Sequence, residues 1–224
     1  MLIKGYTMKQ WGKHPKKLPQ HIINRIPLRF NYDNTYFLNS LWQGIPQNGY
    51  GDVFRKILSH KNIKVNLNKE FSLNDLDKNT LTIYTGPLDK LFNYKFGKLE
   101  WRSLKFKKKY LNRHDFQGNS VINYPDINDK HTRIHEPKHL HIDRNIFKTD
   151  RTLIIYEYSN NNSKDPYYPI NDPTNRLLHR KYKNLLKNYP KLFTGGRLAD
   201  YAYYDMDMTI SAALKLYKKI SKEL

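Results

Sequence analysis

Apolar positions Val53, Phe54, Ile57 and Leu58 recur with a helical period, and Asp52 predicts the N-cap of a helix to about Lys61. Ile63-Lys64-Val65-Asn66-Leu67 alternates with period two, which predicts a strand. Leu81–Tyr84 predicts a second strand, closed by Thr85-Gly86-Pro87, and Pro87 suits the first turn of a short helix to about Tyr94. Residues 99–158 read as all β, with strands at Leu99–Phe106, Ser120–Tyr124, Thr132–His135 and Thr152–Tyr158. Asp172-Pro173 opens a helix to about Asn188, with Leu177, Leu178, Tyr182, Leu185 and Leu186 as its buried stripe. A short strand, Lys191–Thr194, runs into Gly195-Gly196. A last helix, Asp207–Leu224, carries Ile210, Ala213, Leu214 and Tyr217 at core spacing. Residues 1–50 read as irregular, because Pro15, Pro19, Pro27 and Pro46 break any long helix. Ser159–Pro166 is polar and linker-like. The pattern predicts an α+β fold, an antiparallel sheet joined to the edge of an α/β layer.

Length changes the picture little: 224 residues suffice for one large domain or two small ones. No apolar run reaches the roughly 18 residues of a membrane span, and the start of the chain lacks a signal-peptide pattern. There is no Cys, which excludes disulfides, thiolate nucleophiles and Cys-ligated metals. A cytoplasmic setting is the expectation. Charge changes it more. Forty Lys+Arg against 20 Asp+Glu give +20, a field that attracts polyanions or phosphorylated small molecules. Yet 29 of those cations are Lys, beside 23 Asn and 18 Tyr. That excess is what an A+T-rich coding sequence places on solvated surfaces, so charge alone does not assign nucleic-acid binding.

Gly195-Gly196-Arg197 lies between a strand and the last helix. Paired glycines let backbone approach a ligand, and the helix N-terminus favours an anion. As bland a reading is a tight turn. His135, His139 and His141 fall in one short basic segment, but Pro137, Lys138 and the want of carboxylate partners favour surface histidines over a metal site. Tyrosines cluster beside polar motifs. With Arg25, Arg102 and Arg133 they would suit a ligand with phosphates and a sugar ring, since the guanidinium fork takes phosphate oxygens in pairs.

The assembled motifs resemble one family nearly end to end. Tyr6-Thr7-Met8-Lys9-Gln10-Trp11-Gly12 resembles Y-T-x-K-Q-W-G, and Arg25-Ile26-Pro27-Leu28-Arg29 resembles R-I-P-V-R. Tyr36-Phe37 and Tyr50 fall at the family's R/T-Y-F and N-G-Y. Tyr84–Asp89 resembles Y-T-G-P-I-D, Tyr94–Glu100 resembles Y-K-F-G-x-L-E, and Gln117-Gly118-Asn119 resembles Q-G-N. Pro166–Asn171 resembles P-Y-Y-P-V-N, and Gly195–Met206 resembles G-G-R-L-A-x-Y-x-Y-Y-D-M. The family is bacterial UDP-galactopyranose mutase.

The resemblance implies a flavoprotein isomerase of polysaccharide biosynthesis. It interconverts UDP-galactopyranose and UDP-galactofuranose with FAD in its reduced form, without net redox change. It implies Arg25 and Arg133 as the catalytic grip on the diphosphate, and Trp11 at the base of a lid that carries Arg25. Tyr36, Tyr168 and Tyr203 would bond the phosphates, with Tyr167 as the fallback to Tyr168. Gly196, Arg197, Asp205 and Met206 would face the flavin, with Arg102 near it. No metal, nucleic acid or membrane is implied. The family's opening G-x-G-x-x-G turn is missing here, so the chain resembles a C-terminal portion, inactive alone. A homodimer or a complementing N-terminal fragment is the expected partner. The expected segments are 1–50 for lid and sheet entry, 51–98 for a flavin-domain remnant, 99–170 for the substrate sheet and 171–224 for the flavin-contact helices. The rival readings are another amine-oxidase-like flavoprotein and a basic polyanion binder.

Overall fold

The structure, a computed structural model, describes residues 2–19, 30–32, 41–141, 143–161 and 165–222. Its helices are α1 (Leu2–Trp11), α2 (Tyr50–Leu58), α3 (Leu88–Leu91), α4 (Pro173–Leu185), α5 (Gly196–Ala199) and α6 (Met206–Ile220). Its strands are β1 (Thr82–Tyr84), β2 (Trp101–Leu111), β3 (Val121–Asn123), β4 (Arg133–His135), β5 (Thr152–Asn160), β6 (Tyr168–Pro169) and β7 (Leu192–Thr194). The predicted α+β class is observed: an antiparallel sheet and a small parallel one. The chain forms two compact units, residues 1–69 with 105–158 and residues 70–104 with 159–224, so β2 and β5 each run through both.

In the first unit, β3, β4 and β5 pair antiparallel. Ile134 stands opposite Ile122 on one side and Tyr156 on the other. Ile134 and Ile154 are buried while their strand neighbours are less so, the signature of a sheet with one covered face. Helix α1 packs closely on the turn after β3. A Cβ on Gly5 would collide with the Pro125 carbonyl oxygen, so a larger residue at that position forces the helix away. Lys9, one turn on, donates to the carbonyl oxygens of Tyr124, Asp129 (3.2 Å) and His131 (2.8 Å). Lys138 does the same for His114 (2.6 Å) and Thr149 (3.2 Å). An ammonium offers three donors, so each lysine satisfies loop carbonyls that the ladders leave open.

In the second unit, β1 and β7 pair in parallel, with Ile83 opposite Phe193. Leu88, Leu91, Phe92, Tyr182, Leu192 and Ala199 form its core, and a second cluster joins Leu99, Trp101 and Tyr201. Asp172 caps α4 by accepting from the Asn175 amide at 2.9 Å. The Tyr182 hydroxyl donates to the Gly97 carbonyl at 2.6 Å and accepts from the Phe96 amide at 2.9 Å, tying α4 to the turn before β2. Tyr201 follows α5 with φ +49°, a left-handed turn that is uncommon for an aromatic residue. It aims the ring edge-on at Trp101, centroids 4.9 Å apart.

Several expectations are corrected. Residues 1–50 are not wholly irregular, since α1 occupies 2–11. Helix α2 begins at Tyr50 behind Gly49. Asp52 lies in its first turn and pairs with Arg55 (3.0 Å) and Lys56 (3.1 Å) rather than capping it. Val53, Phe54, Ile57 and Leu58 do share a face, but it is exposed. Ile63–Leu67 alternates yet forms no strand, having no neighbouring strand to bond among the described residues. Leu177 faces solvent while Tyr182 is fully buried, so the inner stripe of α4 is narrower than periodicity implies. Ile210, Leu214 and Tyr217 of α6 are exposed, against the core spacing read for them.

Candidate functional site

The second unit gathers most of the predicted residues. Strands β1 and β7 lie parallel and end together, each running into a glycine turn: Thr85-Gly86-Pro87 and Gly195-Gly196. Gly196 has φ +85°, and a Cβ there would sit 3.7 Å from the Thr85 Cβ, so the two turns are neighbours. Ligands of parallel α/β sheets bind beyond this carboxyl edge. Leu216 of α6 closes over Gly195, where an added Cβ would lie 2.8 Å from its Cδ2. That packing leads back to the N-terminus of α6, where Asp205 stands at the cap and Met206 is exposed.

Arg197, Tyr168 and Tyr203 come together from α5, β6 and the α5–α6 connection. The two rings stack with centroids 5.3 Å apart and planes within 7°. The Arg197 guanidinium carbon lies 5.1 Å from the Tyr168 centroid and 5.0 Å from the Tyr203 centroid. Three nearly equal sides mean that one cation serves both π faces, a favourable electrostatic contact. Arg197 also donates to the Tyr167 carbonyl oxygen, which fixes its direction. Its Nε is buried and has no hydrogen-bond partner among the described residues.

Arg102 is buried on β2 and paired in register with Tyr168. Its guanidinium donates to Ser159 Oγ at 2.8 Å and to Asn161. Burial lowers its pKa from the ordinary arginine value. These hydroxyl and amide partners hold the guanidinium in place.

Beside these residues lies a cleft of about 350 Å³, lined in part by Pro87, Asp89, Lys98, Trp101, Pro166 and Leu198. Asp89 is 3% exposed. Its Oδ2 accepts from the Leu99 amide at 2.9 Å, while Oδ1 has no partner among the described residues. Burial raises its carboxyl pKa; the amide bonds and Lys98 oppose that shift without overcoming it. Asp89 ends the Tyr84–Asp89 motif. A carboxylate two residues after Gly86-Pro87, just past a strand end, was the available signal.

The first unit holds Trp11 and Arg133. Trp11 ends α1 and is buried. Arg133 donates through Nε to Asn123 at 3.0 Å, lies 5.5 Å from the Tyr6 ring centroid and reaches to 3.9 Å from Glu157. The histidines are not bland surface residues. His135 meets Glu157 at 2.9 Å, and His139 meets Asp115 at 2.9 Å and Glu136 at 3.5 Å. Glu157 from β5 and Asp115 from the loop after β2 supply two of these carboxylates from outside the segment, and Glu136 supplies the third from within it. Burial pushes the Glu157 carboxyl up, but His135, Arg133 and Thr132 together bring it below its ordinary value. Asp115, Glu136 and His139 lie close enough to share a cation. Glu136, however, already accepts from the amides of Phe116 (3.1 Å) and Gln117 (2.9 Å) and from Thr152 (2.5 Å), so its lone pairs are committed to the fold. Arg25 and Tyr36 lie outside the described residues.

Parallel strands thus end in paired glycine turns, and an arginine stands against two stacked tyrosines, within an α+β fold. A profile described as UDP-galactopyranose mutase matches residues 1–203. The chain belongs to the UDP-galactopyranose mutase family. It is 39% identical over 215 residues to a Klebsiella pneumoniae protein named "Probable UDP-galactopyranose mutase", covering 95% of this chain and 54% of that one. It is 34% identical over 231 residues to an Escherichia coli dTDP-fucopyranose mutase, 98% of this chain and 60% of that one. It is also 34% identical over 229 residues to the UDP-galactopyranose mutase of Mycoplasma genitalium, 95% and 56%. The chain spans little more than half the length of these relatives. Among the described residues no helix is long and apolar enough to cross a membrane.

Proposed function

We propose that this chain supplies the nucleotide-sugar grip and the ring side of the flavin site of an enzyme interconverting UDP-galactopyranose and UDP-galactofuranose. The observation that carries the reading is the Arg197–Tyr168–Tyr203 triangle. It joins residues some 30 positions apart that the motifs assign to one active centre.

The residues present fit the ring end of FAD. Gly196 and Arg197 follow β7 at the carboxyl edge of the β1–β7 pair, Asp205 and Met206 open the helix whose Leu216 packs on Gly195, and Arg102 lies on β2 opposite Tyr168. The phosphate-cradling G-x-G-x-x-G turn is not in the sequence, so the fit extends to the ring end alone. Bound in its reduced form, FAD supplies a nucleophile for the anomeric carbon. The chain's own task is electrostatic. Arg197 holds the two phenol rings rigid, so that their hydroxyls meet a diphosphate at no reorganisation cost. Arg102, buried on β2 opposite Tyr168, supports that tyrosine's strand from below. Arg25 and Arg133 carry the diphosphate grip on motif grounds, and Trp11 the lid base. Asp89 places an acceptor in the cleft wall for a sugar hydroxyl.

Calorimetry with UDP tests the reading, with dTDP and duplex DNA as competitors. UDP is expected to bind and duplex DNA not to compete. Arg197→Ala is expected to weaken binding far more than Tyr203→Phe, because a neutral hydroxyl bond contributes only about 0.5–1.5 kcal/mol. Binding unchanged in Arg197→Ala would sink the proposal. Stronger competition by dTDP than by UDP would move the chain toward the fucose-type relative.

A further inference from the structure

Strand β4 carries Arg133 and His135 two residues apart, so both side chains leave it on the same face. In the register Arg133 stands between Asn123 of β3 and Glu157 of β5. Asn123 Oδ1 accepts from Arg133 Nε at 3.0 Å. Glu157 accepts twice. Its Oε1 takes the Thr132 hydroxyl at 3.1 Å, and its Oε2 takes His135 Nε2 at 2.9 Å. Arg133 Nη1 stops 3.9 Å from that same Oε2. Distance settles which donor holds the oxygen: the imidazole is at hydrogen-bond length and the guanidinium is beyond it. The Phe106 ring stands edge-on to the imidazole, centroids 6.4 Å apart, and helps fix its plane.

Glu157 is 2% exposed, and its carboxyl is held below the ordinary value, so it is a buried anion with little access to water. Removing a hydrogen bond from such a group leaves a costly unmet acceptor, which draws in the nearest donor. With His135 gone, the nearest cation to Oε2 is Arg133. A guanidinium meets a carboxylate in paired, charge-assisted bonds, and the short move from 3.9 Å would tie up the charge that the motifs assign to the diphosphate.

We propose that His135 is a positioning residue: by holding Glu157 Oε2 it keeps Arg133 from closing on Glu157 and directs the guanidinium to an anionic ligand, here a diphosphate. The ligand rests on the mutase reading. The sharing of Glu157 between two donors rests on the strand register alone. His135 thereby gains a role that its place in a basic segment did not suggest.

The test uses the 224-residue chain and two readouts. Phenylglyoxal modifies guanidinium groups, and mass spectrometry of the digested protein follows its rate at Arg133, whose side chain is 32% exposed. Calorimetry follows UDP. His135→Phe keeps a ring against Phe106 and removes the donor. It should slow modification of Arg133 several-fold and weaken UDP binding roughly tenfold, the size of one charge-assisted contact. His135→Gln, which keeps an N–H donor, should restore both. Glu157→Gln removes the capturing charge, so adding His135→Phe to it should change neither readout. Circular dichroism checks the fold of each variant, and if His135→Phe does not fold, the rates in His135→Gln and Glu157→Gln decide: both should match or exceed the parent. An unchanged rate in folded His135→Phe, a slowed rate in His135→Gln, or a full effect of His135→Phe in the Glu157→Gln background would each overturn the proposal. Slowed modification in His135→Phe with no UDP binding even by the parent would remove the mutase reading and leave the role of His135 standing.

Discussion

At the scale of single residues, the unit's polar interior rests on groups held in one protonation state. His179 donates to the Ala199 carbonyl at 2.9 Å and stacks on Tyr201 at 5.6 Å. Burial lowers its pKa, with Lys183 acting in the same sense and the Ala199 bond in the opposite one. The unfolded chain therefore binds a proton at higher pH than the folded one. The stabilising difference is full above about pH 6.5, the unfolded value, and declines as pH falls through the lowered folded value. Thermal melts of the second unit should lose stability progressively below that pH. His179→Gln, which keeps a donor for Ala199, should remove the His-dependent part of the slope. An unchanged slope would show that another group titrates. The triangle around Arg197 and the unpartnered Asp89 Oδ1 belong to this scale too, and no local pattern announces either contact. Tyr168 and Tyr203 stood in motifs, but their stacking depends on β6 and the α5–α6 connection meeting.

At the scale of elements, small features decide how pieces join. Lys9 gives α1 three carbonyl partners in the Tyr124–His131 turn. Lys9→Met keeps the aliphatic stem and removes every donor. Leaving buried carbonyls unmet costs roughly 1–3 kcal/mol, so urea unfolding should show a lower midpoint by that measure. Burial also lowers the Lys9 pKa, though the nearby Asp129 and Asp126 oppose it. Gly196 is the second such point. Its φ of +85° strains any L side chain, although the space beside Thr85 admits a methyl group. Gly196→Ala should destabilise by about 1–2 kcal/mol through backbone strain, not through a clash. Calorimetric melting tests this, and an unchanged melting point would show that the turn relaxes freely. Helix α4 and its Asp172 cap were legible in sequence because both act locally. The exposed face of α2 and the missing 63–67 strand were not, because periodicity reports amphipathicity without naming a partner.

At the scale of the whole molecule, the net charge of +20 surrounds a site proposed to take a diphosphate. The field raises local anion concentration and is screened within about 8 Å at physiological ionic strength. UDP affinity should therefore fall as salt rises from low to physiological levels, by far less than the three or more decades lost by a nucleic-acid binder with many phosphate contacts. Titrations at several salt concentrations separate the two. A steep slope together with DNA competition would restore the polyanion-binding reading.

Composition, motif order and local caps were settled by the sequence alone. So was the family, because its motifs recur in order at set spacings along the chain. The class of the fold was legible too, since alternation and helical period follow from backbone geometry. Only the tertiary structure decided which periodic faces are covered, which strands find neighbours, and that His135 and His139 have carboxylates opposite them. Those outcomes depend on contacts between residues such as His135 and Glu157, 22 positions apart, and a linear pattern does not encode distance across space.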